Sequence, residues 1–543
     1  MGSHNGLSCT HEYPHPFVHE LKMTRFQRTK GIILGSILFP LRIAMASLFF
    51  LISWPFARLR LAGLSEEECS RPVTGWRRWL LHPIIWLLSR AVFFSMGFLW
   101  VRVKGRRADL KEAPVLVVAP HSSFLDMLVL YPTQLATVVS RSENTKLPVI
   151  GALLEFNQSV LVSRKDPESR KKAVAQLNER LTSQGYWPQM LMFPEGTTTN
   201  GRALIKFKPG AFLAGVPVQP VLLRYPNELD CVRWTYKGTT WLEVLWHTAS
   251  QLYTNMTIEF LPVYSPSLEE KKDPNLYADN VQKLMARALG VPATDYVMEG
   301  RIPVHKLGGL SLPLDSPARE TLSLLRKNGL GAAEVEAALG RMIDRCQSGS
   351  VKACAEDLVS ILGLTDKRAA VTICSLYSKA GFSFFPVNLC SCHKLYFTFS
   401  SLQDENVDLR HVYFSVAALS GFVSFKSLLH TAFTGCFHSK SSMLNLFHQC
   451  FDKEGHGSLS AGDLSNLMGA LLGVPQHKVE ELYAEASNHG CLTEEHLLRV
   501  LTSHPTYQRV LNEYLHPDET GSLLANGEAV NNNSNTHNSN GSL

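Results

Sequence analysis

Residues 31 to 57, GIILGSILFPLRIAMASLFFLISWPFA, carry a single charge, Arg42. Such a stretch limits the fold before anything else does, because its apolar surface has to be covered by lipid or by protein. As a straight helix it would run roughly 40 Å, against about 30 Å of bilayer hydrocarbon. Pro40 and Arg42 interrupt it, and Pro55 lies near its end. Lys22, Arg25, Arg28 and Lys30 precede it and Arg58 and Arg60 follow, so the flanking charge sets no orientation. A helix kinked at Pro40, entering and leaving the same leaflet, fits this pattern at least as well as a span. The stretch is too long and begins too late for a cleaved signal peptide.

A second apolar run covers 79 to 101, WLLHPIIWLLSRAVFFSMGFLWV, broken by His82, Pro83 and Arg90. An arginine near a bilayer centre is costly, whereas Trp79, Trp86 and Trp100 suit an interface. The run predicts a membrane-embedded or interfacial helix packed under the domain that follows, the alternative being a buried helix of a soluble protein.

From about residue 99 the pattern alternates. Strand-like runs LWVRVKG, PVLVVAP, ATVVS, QSVLVSR, QMLMFP, VPVQPVLLRY and MTIEFLPVY are separated by helix-like segments such as 167 to 184. This alternation predicts an α/β domain around a largely buried sheet. NLYADNVQKLMARALG (275 to 290) reads as its closing helix, stopped by Gly290. Beyond residue 300 the pattern turns helical, and after 516 it becomes a polar, Asn-rich tail with the composition of a disordered segment. The expected divisions are 1–30, a cytosolic N-terminal segment; 31–103, membrane-associated helices; 104–300, the α/β domain; 301–515, a helical region; and 516–543, the tail.

A length of 543 residues accommodates several domains, and 45% hydrophobic residues supply a large core. The net charge of +6 suits an anionic membrane face or anionic ligands. No basic motif interleaved with aromatics points to nucleic acid. The eleven cysteines are odd in number and show no repeated spacing, which reads as reduced thiols facing the cytosol. Cys390 to His393, CSCH, has no second ligand pair and makes no zinc site.

Two stretches carry candidate chemistry. In APVLVVAPHSSFLD an apolar strand delivers His121 into Ser122 and Ser123, with Asp126 five residues after the histidine. A serine can cap a following helix, and Asp126, about one turn in, can then reach back to the imidazole. A carboxylate on one ring nitrogen fixes the tautomer and leaves the other nitrogen as a general base. Spacing alone favours the other reading, a structural histidine at a helix cap. In MFPEGTTTNGRALIKFKPGAF a second strand ends in Glu195, Gly196 and Thr197, with Arg202, Lys206 and Lys208 close behind. A glycine turn beside cations can hold a phosphate, and it can also be a hairpin with a solvated basic face.

Taken together these stretches resemble the glycerolipid acyltransferases. HSSFLD matches their H-x4-D block, SVLVSR ending at Arg164 their second, FPEGT their third and GVPVQPV (215 to 221) their fourth, in the same order. PFVHELKMTRFQ, FKPGAF and LLRYPNELD look most like the lysophosphatidylcholine and lysophosphatidylethanolamine acyltransferase branch, whose members also carry EF-hand-like modules. The implied fold class is an α/β acyltransferase domain behind an N-terminal membrane-embedded helical segment, followed by an all-α EF-hand-like region and a disordered tail. The resemblance implies acyl-CoA as co-substrate, a lysophospholipid acceptor, a bilayer as partner, no cofactor and no metal. It implies His121 as base and Asp126 as its orienting carboxylate. Arg164, Glu195, Gly196 and Thr197 would bind the acceptor's glycerophosphate, and Gly215 and Pro217 would shape the pocket. The implied location is the endoplasmic reticulum membrane, with Golgi or lipid droplet as alternatives and the catalytic domain cytosolic.

Thr198 departs from the family, because relatives that use phosphomonoesters often have arginine there. One cation, Arg164, matches the single phosphate charge of a phosphodiester, so lysophosphatidylcholine or lysophosphatidylethanolamine is expected over lysophosphatidate. FDKEGHGSLSAGDL (451 to 464) resembles a calcium loop, with Asp452 and Gly457 at positions 1 and 6. His456 at position 5 is a poor calcium ligand, and Asp463 at position 12 is one methylene short, so calcium binding is not expected. The competing reading from another class is a catalytically silent, membrane-tethered, calcium-responsive scaffold.

Overall fold

The computed structural model describes residues 15–163, 167–299, 302–347, 350, 352–377, 407–420, 429, 436–439, 442–445, 458–487 and 492–515. The chain divides into two compact units, Met1–Met298 and Glu299–Leu543.

In the first unit all seven strand-like runs become strands of one sheet: β1 (Val101–Lys104), β2 (Val115–Ala119), β3 (Thr137–Arg141), β4 (Val160–Val162), β5 (Met190–Met192), β6 (Val218–Arg224) and β7 (Met256–Phe260). Their order is β1-β7-β6-β2-β5-β3-β4. Only the β6–β7 pair is antiparallel, so β2, β3, β4, β5 and β6 share one direction. Successive residues of a strand face opposite sides of the sheet, and β2 shows this directly. Leu116 and Val118 join a core with Val138, Leu191, Val221 and Ile258. Val115, Val117 and Ala119 join a second core on the other face. Burial on both faces explains why β2 reads as an unbroken apolar run.

Two helices, α4 (Pro167–Leu181) and α6 (Pro274–Leu289), cover the face of Val117, presenting Ala173 and Leu177 and Tyr277, Val281 and Met285. The helix α6 ends in Gly290 at φ 75°, the left-handed position that glycine takes without strain. The other face is covered by α1 (Arg25–Leu61), α2 (His82–Ser95) and α5 (Trp241–Ala249). A short helix, α3 (Pro148–Phe156), packs on the C-terminal part of α1.

The 31–57 stretch lies within α1, a single helix with Pro40, the expected kink position, and Pro55 inside it. Its contacts with the domain explain how it continues. Gly35, Arg42, Ala46, Ser53, Ala57 and Arg60 form a buried stripe along it. The Arg42 guanidinium donates to Ala249 O (3.1 Å), Gln251 O (2.6 Å) and Leu252 O (2.7 Å), and reaches Met96 O at 3.5 Å. One cation thus satisfies carbonyls at the C-terminal ends of both α5 and α2, where helices leave acceptors unpaired. On the opposite side Phe26, Ile33, Ile37, Leu41, Leu48 and Leu51 are exposed, as are Trp79, Leu87, Phe94 and Trp100 in and around α2. By length and composition α1 is long and apolar enough to cross a membrane.

The second unit is largely helical, as its sequence pattern predicted, around one core that includes Leu322, Leu339, Leu358, Phe414, Leu467 and Leu501. An antiparallel hairpin, Ile302–Leu307 with Leu310–Pro313, was not anticipated. Leu459 and Leu492 form an isolated antiparallel bridge, and each is followed by a capped helix. The Asp463 carboxylate accepts from Ser460 Oγ at 2.5 Å, and Ser460 Oγ accepts from Asp463 N in return. The calcium-ligand positions 452 to 457, the aromatic stretch 381 to 400, the tail from 516 and Arg164 lie outside the described residues.

Candidate active site

Parallel strands bring their C-terminal ends to one edge of the sheet, and β2 and β5 are neighbours. His121 follows β2 and Glu195 follows β5, so the two motifs meet. After His121 the chain turns into a 3₁₀ helix, Phe124–Leu130, capped by Ser123 with Asp126 at its third position. The expected capped helix is this 3₁₀ turn, and His121 Nδ1 lies 2.9 Å from Asp126 Oδ2.

Four donors converge on the buried Asp126. Its Oδ2 also accepts from Ser122 N (2.5 Å) and Ser123 N (2.9 Å), while Oδ1 accepts from Tyr225 Oη at 2.5 Å. Burial, with the Asp126 charge beside it, pushes the Tyr225 phenol well above its ordinary value, so this hydroxyl stays a donor. The His121 ring stacks on Phe193, with centroids 4.2 Å apart and an angle of 27° between planes. A ring fixed by a carboxylate on Nδ1 and an aromatic face has Nε2 as its remaining polar atom. The His121 side chain is 21% exposed against 0% for Asp126, so the imidazole opens outward and the carboxylate does not.

Glu195 is fully buried. Its Oε1 accepts from His121 N (3.0 Å) and its Oε2 from Thr199 Oγ (3.1 Å). Burial raises its carboxyl pKa to about 8, against the two hydrogen bonds, which favour the charged form. Both oxygens are turned inward, so its place is to hold the His121 backbone, and the expected contact with a glycerophosphate is not one this geometry offers. Gly196, at φ 65°, and Thr197 are half-exposed beside His121, and a Cβ at position 196 would meet Lys208 Nζ at 3.1 Å. The Lys208 side chain therefore lies over the glycine turn.

Gly215 and Pro217 are placed elsewhere. They precede β6, whose Val218 pairs with Val115 and whose Leu222 pairs with Ala119. Because β6 and β2 are parallel, Pro217 sits at the N-terminal edge, roughly 16 Å along the strands from Ala119, where β2 ends just before His121. This block, expected to shape the pocket, therefore does not lie directly beside His121. Gly215, at φ 59°, serves a tight turn in which its N–H donates to Phe212 O.

Several residues at the site had no signal in the spacing. Tyr225 ends the LLRY run, and its hydroxyl lies 99 positions from Asp126. Arg233 donates from Nη1 to Ser122 Oγ (2.5 Å) and pairs through Nε with Asp230 (2.9 Å). Only the strand pairing and the loop after β6 bring these groups to His121.

The Acyltransferase family profile matches residues 101–224, the span that carries both motifs. Lysophospholipid acyltransferase LPCAT4 of Mus musculus is 44% identical over 510 residues, covering 93% of this chain and 89% of the relative. The chain belongs to the lysophospholipid acyltransferase family. Lysophosphatidylcholine acyltransferase 2 of Homo sapiens, a second relative, is 36% identical over 508 residues, 92% of this chain and 85% of its own length. Among solved structures, the 1-acyl-sn-glycerophosphate (LPA) acyltransferase PlsC of Thermotoga maritima gives a TM-score of 0.34 at 18% identity, covering 49% of this chain and 98% of that one. Within this family member the identities extend well beyond the profile, into the helical second unit.

Proposed function

We propose that this acyltransferase moves an acyl chain from acyl-CoA to the free glycerol hydroxyl of a lysophospholipid, with lysophosphatidylcholine or lysophosphatidylethanolamine as acceptor. The observation that carries the reading is the His121–Asp126 pair at 2.9 Å, with no serine or cysteine nucleophile bonded to the imidazole among the described residues. With Nδ1–H donated to Asp126, Nε2 is bare and takes the proton of the acceptor hydroxyl as that oxygen attacks the thioester carbonyl carbon. The tetrahedral intermediate then collapses, the C–S bond breaks, and the CoA sulfur leaves and takes up the proton from His121. Asp126 balances the imidazolium in between, and its four donors fix its position. Glu195 and Thr199 hold the backbone of His121. Gly196, Thr197 and Lys208 form the rim beside His121 where the acceptor's glycerol would approach, and Arg164 enters as a phosphate ligand through the family resemblance alone. The chemistry calls on no cofactor beyond the co-substrate.

The exposed apolar side of α1 and α2 supports seating in one leaflet rather than a perpendicular span. From Gly35, against Trp246, to Arg60, over Phe156, the helix is docked on the domain for roughly 37 Å. A crossing helix would take those domain residues into the hydrocarbon with it. We infer a catalytic unit resting on the cytosolic face of the endoplasmic reticulum membrane, where acyl-CoA is available.

The test is transfer of a radiolabelled acyl chain from its CoA thioester to a panel of lysophospholipids by purified membranes. Choline or ethanolamine acceptors should be used with higher kcat/KM than lysophosphatidate, and Thr198→Arg should narrow the gap. Preference of the unmodified protein for lysophosphatidate would refute the charge argument.

A further inference from the structure

A cavity of about 510 Å³ opens between the N-terminal segment and the loops that carry Arg202 and Asp230, and its walls come from three places far apart in sequence. One wall is the N-terminal strap that precedes α1. Asn200, next to Thr199 of the catalytic turn, clamps the strap by donating from Nδ2 to His15 O (3.0 Å) and Val18 O (2.9 Å). Val18–His19 pairs with Lys237–Gly238, and His19 Nε2 bonds to Asp230 O at 3.0 Å. The second wall carries Arg202, three residues after Thr199, and the third carries Glu228 to Asp230. Two side chains connect this cavity to the base: Asp230, on its lining, is paired with Arg233, which donates to Ser122 beside His121.

The charges on the lining are specific in kind. Asp230 is already paired, but Glu20, Lys22, Arg202 and Glu228 are exposed at the rim, and none forms an ion pair among the described residues. Two carboxylates and two cations around one cavity sum to zero. A dianionic phosphomonoester would meet as much repulsion as attraction there. A group carrying both an anionic phosphodiester and a cationic amine could satisfy both pairs at once. Leu21 and Leu229 add apolar surface, which suits a methylated or alkyl ammonium better than a bare anion.

We propose that this cavity is the head-group subsite for the acyl acceptor, taking a zwitterion whose amine lies toward Glu20 and Glu228 and whose phosphate lies toward Lys22 and Arg202. The assignment rests on the acyl-transfer reading above and adds to it the residues that choose the head group. It also gives the strap a function, since the segment entering the membrane helix becomes one side of the acceptor site.

The experiment compares kcat/KM for lysophosphatidylcholine and lysophosphatidate, with one acyl-CoA, in the unmodified full chain, in a Glu20→Gln/Glu228→Gln double variant and in Arg202→Gln. Loss of two exposed ion pairs should lower kcat/KM for the choline acceptor about fivefold, through KM, and leave lysophosphatidate unchanged or improved. Arg202→Gln should weaken both acceptors. Free phosphocholine should compete with lysophosphatidylcholine in the unmodified protein and lose that effect in the double variant, a readout that does not depend on turnover of a second substrate. In the double variant, an equal fall for both acceptors, no change in either, or a shift only in the KM for acyl-CoA would overturn the subsite. Retained transfer with unmoved selectivity removes the subsite alone. Absence of transfer to any lysophospholipid by the unmodified protein removes the acyl-transfer reading and the subsite with it.

Discussion

Replacing Glu195 by Gln should make the protein less sensitive to pH while keeping its fold. Burial sets the Glu195 carboxyl at about 8, against an ordinary value of 4.5. The folded state therefore holds a proton that the unfolded chain releases across this window. A raised carboxyl of this kind stabilises fully below about pH 4.5 and loses that contribution as pH rises through 8. From linkage, the unmodified protein should lose about 2 kcal/mol of stability between pH 6 and pH 8 through this group. Gln has the same shape and no proton to lose. Its carbonyl can still accept from His121 N, and its amide can donate to Thr199 Oγ, whose hydroxyl then turns to His121 O, 3.5 Å away. Unfolding followed in detergent at pH 6 and pH 8 gives the difference for each protein, and subtracting the two cancels all other titrations. A difference smaller by about 2 kcal/mol in Glu195→Gln is expected. The same pH dependence in both proteins would show that Glu195 is charged in the folded state and that the burial argument is wrong.

Other substitutions test the remaining contacts. Tyr225→Phe leaves Asp126 Oδ1 buried without its donor, so stability should fall by about 1–3 kcal/mol and kcat should fall more than KM rises; unchanged values for both would mean that the phenol does not hold Asp126. Arg42→Leu strands the carbonyls of Ala249, Gln251 and Leu252 and should cost about 3 kcal/mol in unfolding while leaving the protein in the membrane fraction; an unaltered melting temperature would contradict the docking of α1. Calcium at millimolar concentration should leave the melting temperature unchanged, and calorimetric binding with a clear saturation point would refute this.

The sheet was readable because its signal is local. Each of the seven apolar runs is bounded by polar or turn residues, and each falls on one strand. The His121–Asp126 contact was readable for the same reason, since five residues across a capped turn fix the geometry. Tyr225 and Arg233 were not, because their approach depends on which strands are neighbours. Strand direction, which spacing does not reveal, places Gly215 and Pro217 at the edge of the parallel sheet away from His121. The chemistry of Glu195 could not be read from FPEGT, because a carboxylate at a strand end is equally able to face a ligand or turn inward. For α1 the sequence pattern marks a kink at Pro40, and the contacts that hold the helix on the domain come from α2, α5 and α3, none of which is visible in the stretch itself.

The most direct test of the central claim is His121→Ala, assayed for acyl transfer from acyl-CoA to lysophosphatidylcholine in membranes matched for protein content. A general base contributes about 10²- to 10⁴-fold, so kcat should fall by that factor, with the protein still membrane-associated and its melting temperature nearly unchanged. A variant that retains full kcat would show that His121 takes no proton from the acceptor.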